Sequence, residues 1–222
     1  MRMFLTYLRS CKPGEVAQIF LLGDVFHYWV HRSRKIEGAY GEVLSEARRA
    51  AQRGIRIHFF SGNRDFLLGQ TLEHNVGEGI EFHEESMMVD LGPRRVYVSH
   101  GDELCIDDRL YMLWRKIARA PTLISLFDRL PGSWRDRLVE RLSRASREFS
   151  NAEPVEVRAA VYRDVFRRGV DTIIHGHLHR RDHIVYEDPP GEVWLLPDWG
   201  EGADILVYDQ GTDRFELRRV GE

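Results

Sequence analysis

Ile173-Ile174-His175-Gly176-His177-Leu178-His179 is the stretch on which the reading of this chain turns. β-Branched apolar residues running straight into Gly-His-x-His predict a buried strand that ends in imidazoles. His177 and His179 fall on alternate positions and can address one metal cluster as the chain leaves the sheet. Three other apolar runs end in turns of the same kind: Ile19-Phe20-Leu21-Leu22 leads into Gly23-Asp24, residues 55–61 lead into Gly62-Asn63-Arg64-Asp65, and residues 95–99 lead into His100-Gly101-Asp102. Each alone has a plainer reading: Asp24 as a turn residue, Asn63 as an asparagine in the left-handed region, His100 as a hydrogen-bonded histidine at a strand end. Recurring in order after successive predicted strands, they predict a single site assembled from loops at strand ends.

A chain of 222 residues is long enough for one domain with an insertion, or for two small domains. Charged residues at 30% and a formal net charge of -3 give no global basic surface for nucleic acid. Arginine heavily outnumbers lysine and clusters between Arg109 and Arg168. Cys11 and Cys105 lack any paired spacing, which predicts a reducing compartment and no disulfide framework. The apolar runs are too short to span a bilayer and the start lacks a secretory signal pattern, so a cytosolic chain able to touch a membrane surface is expected.

The spacing of Phe4, Leu5 and Leu8 predicts a helix over residues 2–10, closed by Pro13-Gly14. A first strand follows at 17–22, a helix at about 36–53, a strand at 55–61, a short helix near 66–76, and strands near 80–83, 86–91 and 94–99. Residues 108–168 read as almost pure helix broken at Pro121, Pro131-Gly132 and Pro154, as an inserted cap would. Strands return near 171–174, 182–187, 193–196, 203–208 and 213–219, with Asp188-Pro189-Pro190-Gly191 as a turn. The expected division is a core of 1–107 and 169–222 with a helical cap at 108–168.

Asp24, Asn63, His100, His177 and His179 supply a carboxylate, an amide oxygen and imidazoles, a mixed set that suits manganese, iron or zinc better than calcium. A carboxylate can bridge two ions about 3.5–4 Å apart, and such a pair suits in-line displacement at phosphorus. The expected reaction is hydrolysis of a phosphorus ester or anhydride.

These motifs resemble those of the calcineurin-like metallophosphoesterases. More narrowly, Gly62-Asn63-Arg64-Asp65-Phe66-Leu67-Leu68-Gly69 and His100-Gly101-Asp102-Glu103-Leu104-Cys105-Ile106-Asp107-Asp108, with Tyr111 beyond, resemble the UDP-2,3-diacylglucosamine diphosphatases over roughly residues 1–209. The resemblance implies an α/β fold, a metallophosphoesterase-type four-layer αββα sandwich with an inserted helical cap. It also implies a pair of divalent ions, manganese first, and a UDP-linked diacylated glucosamine cleaved by metal-activated water to UMP and 2,3-diacylglucosamine 1-phosphate. Asp24 would bridge the ions, Asn63, His100 and His177 would complete one site, and His179 would belong to the other. Asn63, Arg64 and His177 would be catalytic; these three with Asp108, Tyr111, Ser146 and Ser150 would contact the substrate. The implied location is cytoplasmic, peripheral to the inner membrane, with an anionic membrane surface as partner, no nucleic acid and no evident protein partner.

Arg64 adds a chemical argument of its own. Many relatives in the wider family carry histidine there, suited to protonating an alkoxide. Cleaving a pyrophosphate expels a phosphate, which needs charge stabilisation more than a proton, and a guanidinium supplies it. The plainer reading of Arg64 is a surface ion pair with Asp65.

The chain also departs from that pattern. The resembling enzymes open with a strand ending in Asp-x-His, whereas residues 1–11 resemble the helix after it. One complete metal site is therefore expected, the other being reduced to Asp24 and His179, with His27 and His31 as candidate substitutes, weak hydrolysis and an exposed sheet edge. Ser150 and Glu153 stand where asparagine and lysine are expected, and an anion beside a phosphorylated sugar weakens head-group recognition. Ile117, Leu123, Ile124, Leu126, Phe127, Leu130 and Trp134, ringed by Arg115, Lys116, Arg119, Arg129, Arg135 and Arg137, read either as packed helix faces or as an acyl-chain cleft over anionic lipid. Two alternatives stay open: a phosphodiesterase of this fold acting on another nucleotide or phospholipid, and a catalytically impaired lipid-binding relative.

Overall fold

A computed structural model describes residues 2–26, 34–65, 77–135, 137–138, 141, 156–199 and 203–220. Helix α1 (Arg2–Ser10) buries Phe4, Leu5 and Leu8 on one face. Strand β1 (Gln18–Leu21) follows, and then helix α2 (Arg34–Gln52), whose Val43, Leu44, Ala47 and Ala50 form a buried stripe at helical spacing. Gly54, at φ 95°, ends that helix in a conformation that costs glycine nothing. Strands β2 (Arg56–Phe60) and β3 (Ile80–His83) join β1 in a parallel sheet of order β1-β2-β3.

Strands β4 (Met87–Leu91) and β5 (Arg94–Ser99) form an antiparallel hairpin, and a 3₁₀ turn spans Asp102–Leu104. Helices α3 (Arg109–Ala118) and α4 (Pro121–Asp128) open the insertion. Pro121 starts α4 at a position that needs no amide hydrogen, so the residue that breaks one helix nucleates the next. Helix α5 (Ala159–Phe166) precedes β6 (Thr172–His175), β7 (Asp182–Glu187) and β8 (Pro190–Leu195). These complete a five-stranded sheet of order β4-β5-β6-β8-β7, and β9 (Asp204–Asp209) pairs with β10 (Arg214–Arg219) in a separate hairpin.

Strand alternation sorts the core into three interfaces. Ile19, Leu21, Ile57 and Phe59 face α1 and α2. Phe60, with Phe20 and Leu22 beside it, meets Val96, Val98, Ile174 and Trp194 between the sheets. Tyr97, Ile173, Val193 and Leu195 meet Tyr162, Val165 and Phe166 of α5 on the far side. Helices, sheet, sheet, helix: the four-layer expectation is the observed order. Fully buried side chains such as Leu8, Ile57, Phe59 and Ile173 each contribute about 1.5–3 kcal/mol of hydrophobic stabilisation.

Helix α5, which periodicity alone assigned to the insertion, packs on the five-stranded sheet. Among the described residues β1 is hydrogen-bonded to β2 only, so it forms an edge of its sheet. Cys11 and Cys105 are free and buried. No helix among the described residues is long and apolar enough to cross a membrane. The expected helix near 66–76 and the positions of His27, His31, Ser146, Ser150 and Glu153 lie outside the described residues.

Candidate metal centre

Each candidate donor leaves the end of a strand. Asp24 follows β1, Asn63 follows β2, His100 follows β5 and His177 follows β6, so the candidate donors leave strand ends of both sheets. His177 Nδ1 lies 3.2 Å from His100 Nε2, and His100 Nδ1 lies 2.7 Å from the carbonyl oxygen of Leu22, which fixes that ring against the loop carrying Asp24. Backbone conformation is as unusual as the side-chain crowding. Asp24, His177 and His179 have φ of 53°, 65° and 50°, values few residues with a side chain adopt, each costing on the order of 1–3 kcal/mol. Gly62 packs so tightly on Asp24 that a Cβ there would collide with its backbone nitrogen and carboxylate.

Asn63 tests whether these residues fit a cation. Its side-chain amide lies 2.8 Å from Asp24 Oδ1 and 2.6 Å from Oδ2. With nitrogen turned inward the amide donates to both; with oxygen turned inward three acceptor oxygens crowd together, an arrangement that a cation satisfies. His100 and His177 form a second donor pair, their nitrogens 3.2 Å apart, held against the loop of Asp24 by the contact of His100 with Leu22. Burial pushes His177 down to about 3, with His100 adding to the effect, so the ring is neutral and available as a ligand at neutral pH. The residues present fit a divalent ion.

Arg64 lies beside this cluster rather than on the surface. Its amide donates to Asp24 Oδ1 at 2.9 Å, and its Nε, buried without a hydrogen-bond partner, lies 3.5 Å from Asp24 Oδ2. The plainer reading, an ion pair with Asp65, is replaced by a different arrangement. Asp65 is fully buried and accepts from the amides of Gly62, Asp24 and Phe26 at 2.8, 3.2 and 3.4 Å, tying two donor loops together. Burial, then the nearby Asp24 charge, raises the Asp65 carboxyl above its ordinary range.

His179 stands apart, half-exposed, with Nδ1 3.9 Å from Asp198 Oδ2. His175 turns to the other face of β6 and shares a 2.8 Å hydrogen bond with the Tyr162 hydroxyl of α5. Asp108 caps α3, its Oδ1 accepting from the Tyr111 amide at 2.8 Å.

Sequence reasoning passed over Asp102, Arg115 and Arg119. Asp102 is buried, and its Oδ2 accepts from the Tyr111 hydroxyl and from Arg115 Nε, both at 2.8 Å. Arg119 reaches past it to the carbonyl oxygens of Gly62 at 3.2 Å and Glu84 at 3.1 Å. Arg115 and Arg119, expected on the rim, are thus inward-facing bolts that fasten α3 to two of the donor loops. Burial alone would raise the Asp102 carboxyl, but His100, Arg119, Arg115 and the Tyr111 hydroxyl hold it below the usual carboxylate range. The signal was present in the spacing: Tyr111, Arg115 and Arg119 repeat every four residues on one helix face.

No protein-family model matches the chain. A UDP-2,3-diacylglucosamine hydrolase of Neisseria meningitidis serogroup B is 35% identical over 212 residues, spanning 93% of this chain and 86% of that protein. The chain belongs to the UDP-2,3-diacylglucosamine hydrolases. A hydrolase of that name from Nitrosococcus oceani is 33% identical over 211 residues, covering 92% of this chain and 83% of its own length. Among solved structures, an archaeal phosphodiesterase superposes with a TM-score of 0.53 at 12% identity, covering 98% of this chain and 92% of that one, a likeness that speaks to architecture alone. Membership of this metallophosphoesterase-like family of hydrolases implies a divalent metal.

Proposed function

We propose that this chain hydrolyses the pyrophosphate bond of UDP-2,3-diacylglucosamine, releasing UMP and 2,3-diacylglucosamine 1-phosphate. The observation that carries the reading is the packing of the loop that carries Asp24, with Asn63 against its carboxylate, on the paired rings of His100 and His177, in a member of the UDP-2,3-diacylglucosamine hydrolases. Asp24, Asn63, His100 and His177 would hold one divalent ion, proposed as manganese, and Asp24 with His179 would serve a second. Bound there, such ions polarise phosphoryl oxygens and lower the pKa of water.

The chain's own groups account for the rest. Arg64, with a buried Nε that lacks a hydrogen bond, offers a fixed positive charge to the departing phosphate. Asn63 and His177 are assigned to orient the phosphoryl group. The Tyr111 hydroxyl is committed to Asp102, so its ring, 5.8 Å from that of His177, would line the sugar side. Asp108 shapes this wall by capping α3; Ser146 and Ser150 are proposed as further contacts by resemblance.

Acyl chains are assigned to the insertion within residues 108–168. Leu113, Leu126 and Trp134 are 56%, 59% and 63% exposed, and Ile117, Leu123 and Leu138 are also exposed, whereas Phe127 is partly buried against the core. Apolar surface of this extent, interleaved with arginine, suits a peripheral position on an anionic cytoplasmic membrane face.

The test is UMP release from UDP-2,3-diacylglucosamine with manganese, set beside hydrolysis of bis-p-nitrophenyl phosphate. Manganese-dependent UMP formation exceeding the aryl diester rate about a hundredfold is the expected result. No UMP release, or faster turnover of the aryl diester, overturns the assignment.

A further inference from the structure

His58, Glu81 and His83 form a second donor cluster, on regular strands rather than loops. In the parallel register of β2 and β3, His58 lies opposite Glu81 and Phe60 opposite His83, which puts all three donors on the sheet face turned toward the five-stranded sheet. His58 Nδ1 is 3.0 Å from His83 Nε2 and 3.5 Å from Glu81 Oε2, and His83 Nε2 is 3.8 Å from the same oxygen. Donors bound at about 2.0–2.1 Å to one tetrahedral ion stand about 3.4 Å apart. The observed triangle brackets that spacing, so one zinc-sized ion fits with small adjustments.

The surroundings hold the donors in place. His58 is 2% exposed and stacks on Phe20 at 4.6 Å, while His83 stacks on Phe60 at 4.8 Å. Gln18 Oε1 lies 3.1 Å from His58 Nε2; an amide oxygen only accepts, so the hydrogen sits on Nε2 and the Nδ1 lone pair faces the other two donors. Ligating histidines usually fix their second nitrogen through an outer acceptor of this kind. Burial lowers both imidazoles from their ordinary range, which keeps them neutral.

We propose that His58, Glu81 and His83 constitute a structural site for a zinc-class divalent ion, separate from the catalytic centre, that clips β3 to β2 and leaves one coordination position to water. Without the ion, His83 Nε2–H donates to His58 Nδ1. On binding, the His83 proton moves to Nδ1, each imidazole presents a lone pair, and the half-exposed Glu81 carboxylate closes the triangle from the solvent side. The clip lies next to the Gly62–Asp65 loop: the Ser61 amide donates to the His83 carbonyl at 2.8 Å.

The test uses full-length protein whose catalytic centre is disabled by Asp24→Asn and His177→Ala. Zinc alone is titrated against a chromophoric chelator, and bound zinc per chain is counted by elemental analysis. Such protein should retain one zinc and melt at a higher temperature when zinc is present. Adding Glu81→Gln or His83→Gln should weaken zinc binding about tenfold or more and abolish the rise in melting temperature. Should His83→Gln fail to fold, Glu81→Gln decides, since that side chain is 52% exposed. Absence of zinc uptake at about 100 µM, or uptake indifferent to Glu81→Gln, overturns the site.

Discussion

The two sets of donors are brought together by opposite means. At the centre of Asp24, Asn63, His100 and His177, donors hang from loops, with left-handed backbone at Asp24 and His177 and a glycine at position 62 pressed against Asp24. At His58, Glu81 and His83 the donors lie on ordinary strands, set by the parallel register of β2 and β3. Loops bring together side chains from different sheets but need strained backbone and outside support. Strand register costs no strain, yet it joins only neighbours. The loop-built cluster should therefore be the more sensitive to changes in its surroundings, and the strand-built one sensitive mainly to its own donors.

The sharpest way to separate them is Asp24→Asn, expected to cut UMP release by about 10³-fold while leaving zinc at His58 and His83 in place. Next comes the support of the loops. Asp102→Ala strands Arg115 and Arg119, which are 15% and 20% exposed, beside an empty pocket. It should cost about 3 kcal/mol in urea unfolding and lower turnover as well. Gly62→Ala drives a methyl group into Asp24 and should reduce manganese affinity by about 10–100-fold with the circular dichroism spectrum unchanged. If Gly62→Ala binds manganese like the parent, the tight packing described here is not what positions the donors. Trp134→Ser should leave stability within about 0.5 kcal/mol but lower retention on anionic vesicles in sedimentation. The smallest effect belongs to His83→Gln: UMP release within about twofold of the parent, measured with manganese saturating. A drop to the level of Gly62→Ala would mean that the two clusters act as one.

Much of this was legible in the chain itself. Runs such as 173–175 and 94–99 are apolar enough to declare buried strands, and the glycine-flanked donors after them declare the centre, because sharp turns and metal ligands both restrict residue type. Helix α5 was legible as a helix but not as part of the core, since periodicity reports a face and not what covers it. Gly191, which makes room for the Phe166 ring, was the cue to its partner. Asp102 stood inside a recognised motif, yet its role depends on which face of α3 turns inward, and that is decided by packing over thirteen residues of separation. His58, Glu81 and His83 carried no signal, because the register joining β2 to β3 is a property of the sheet rather than of either strand.

The candidate metal centre would also matter mechanically. Asp24 and Asn63 ride on one sheet while His100 and His177 ride on the other, with apolar side chains such as Phe60, Val98 and Trp194 packed in the seam between them. An ion held by donors of both would act as a rivet through that greasy seam, and pulling it with a chelator should let the layers slide before either one melts.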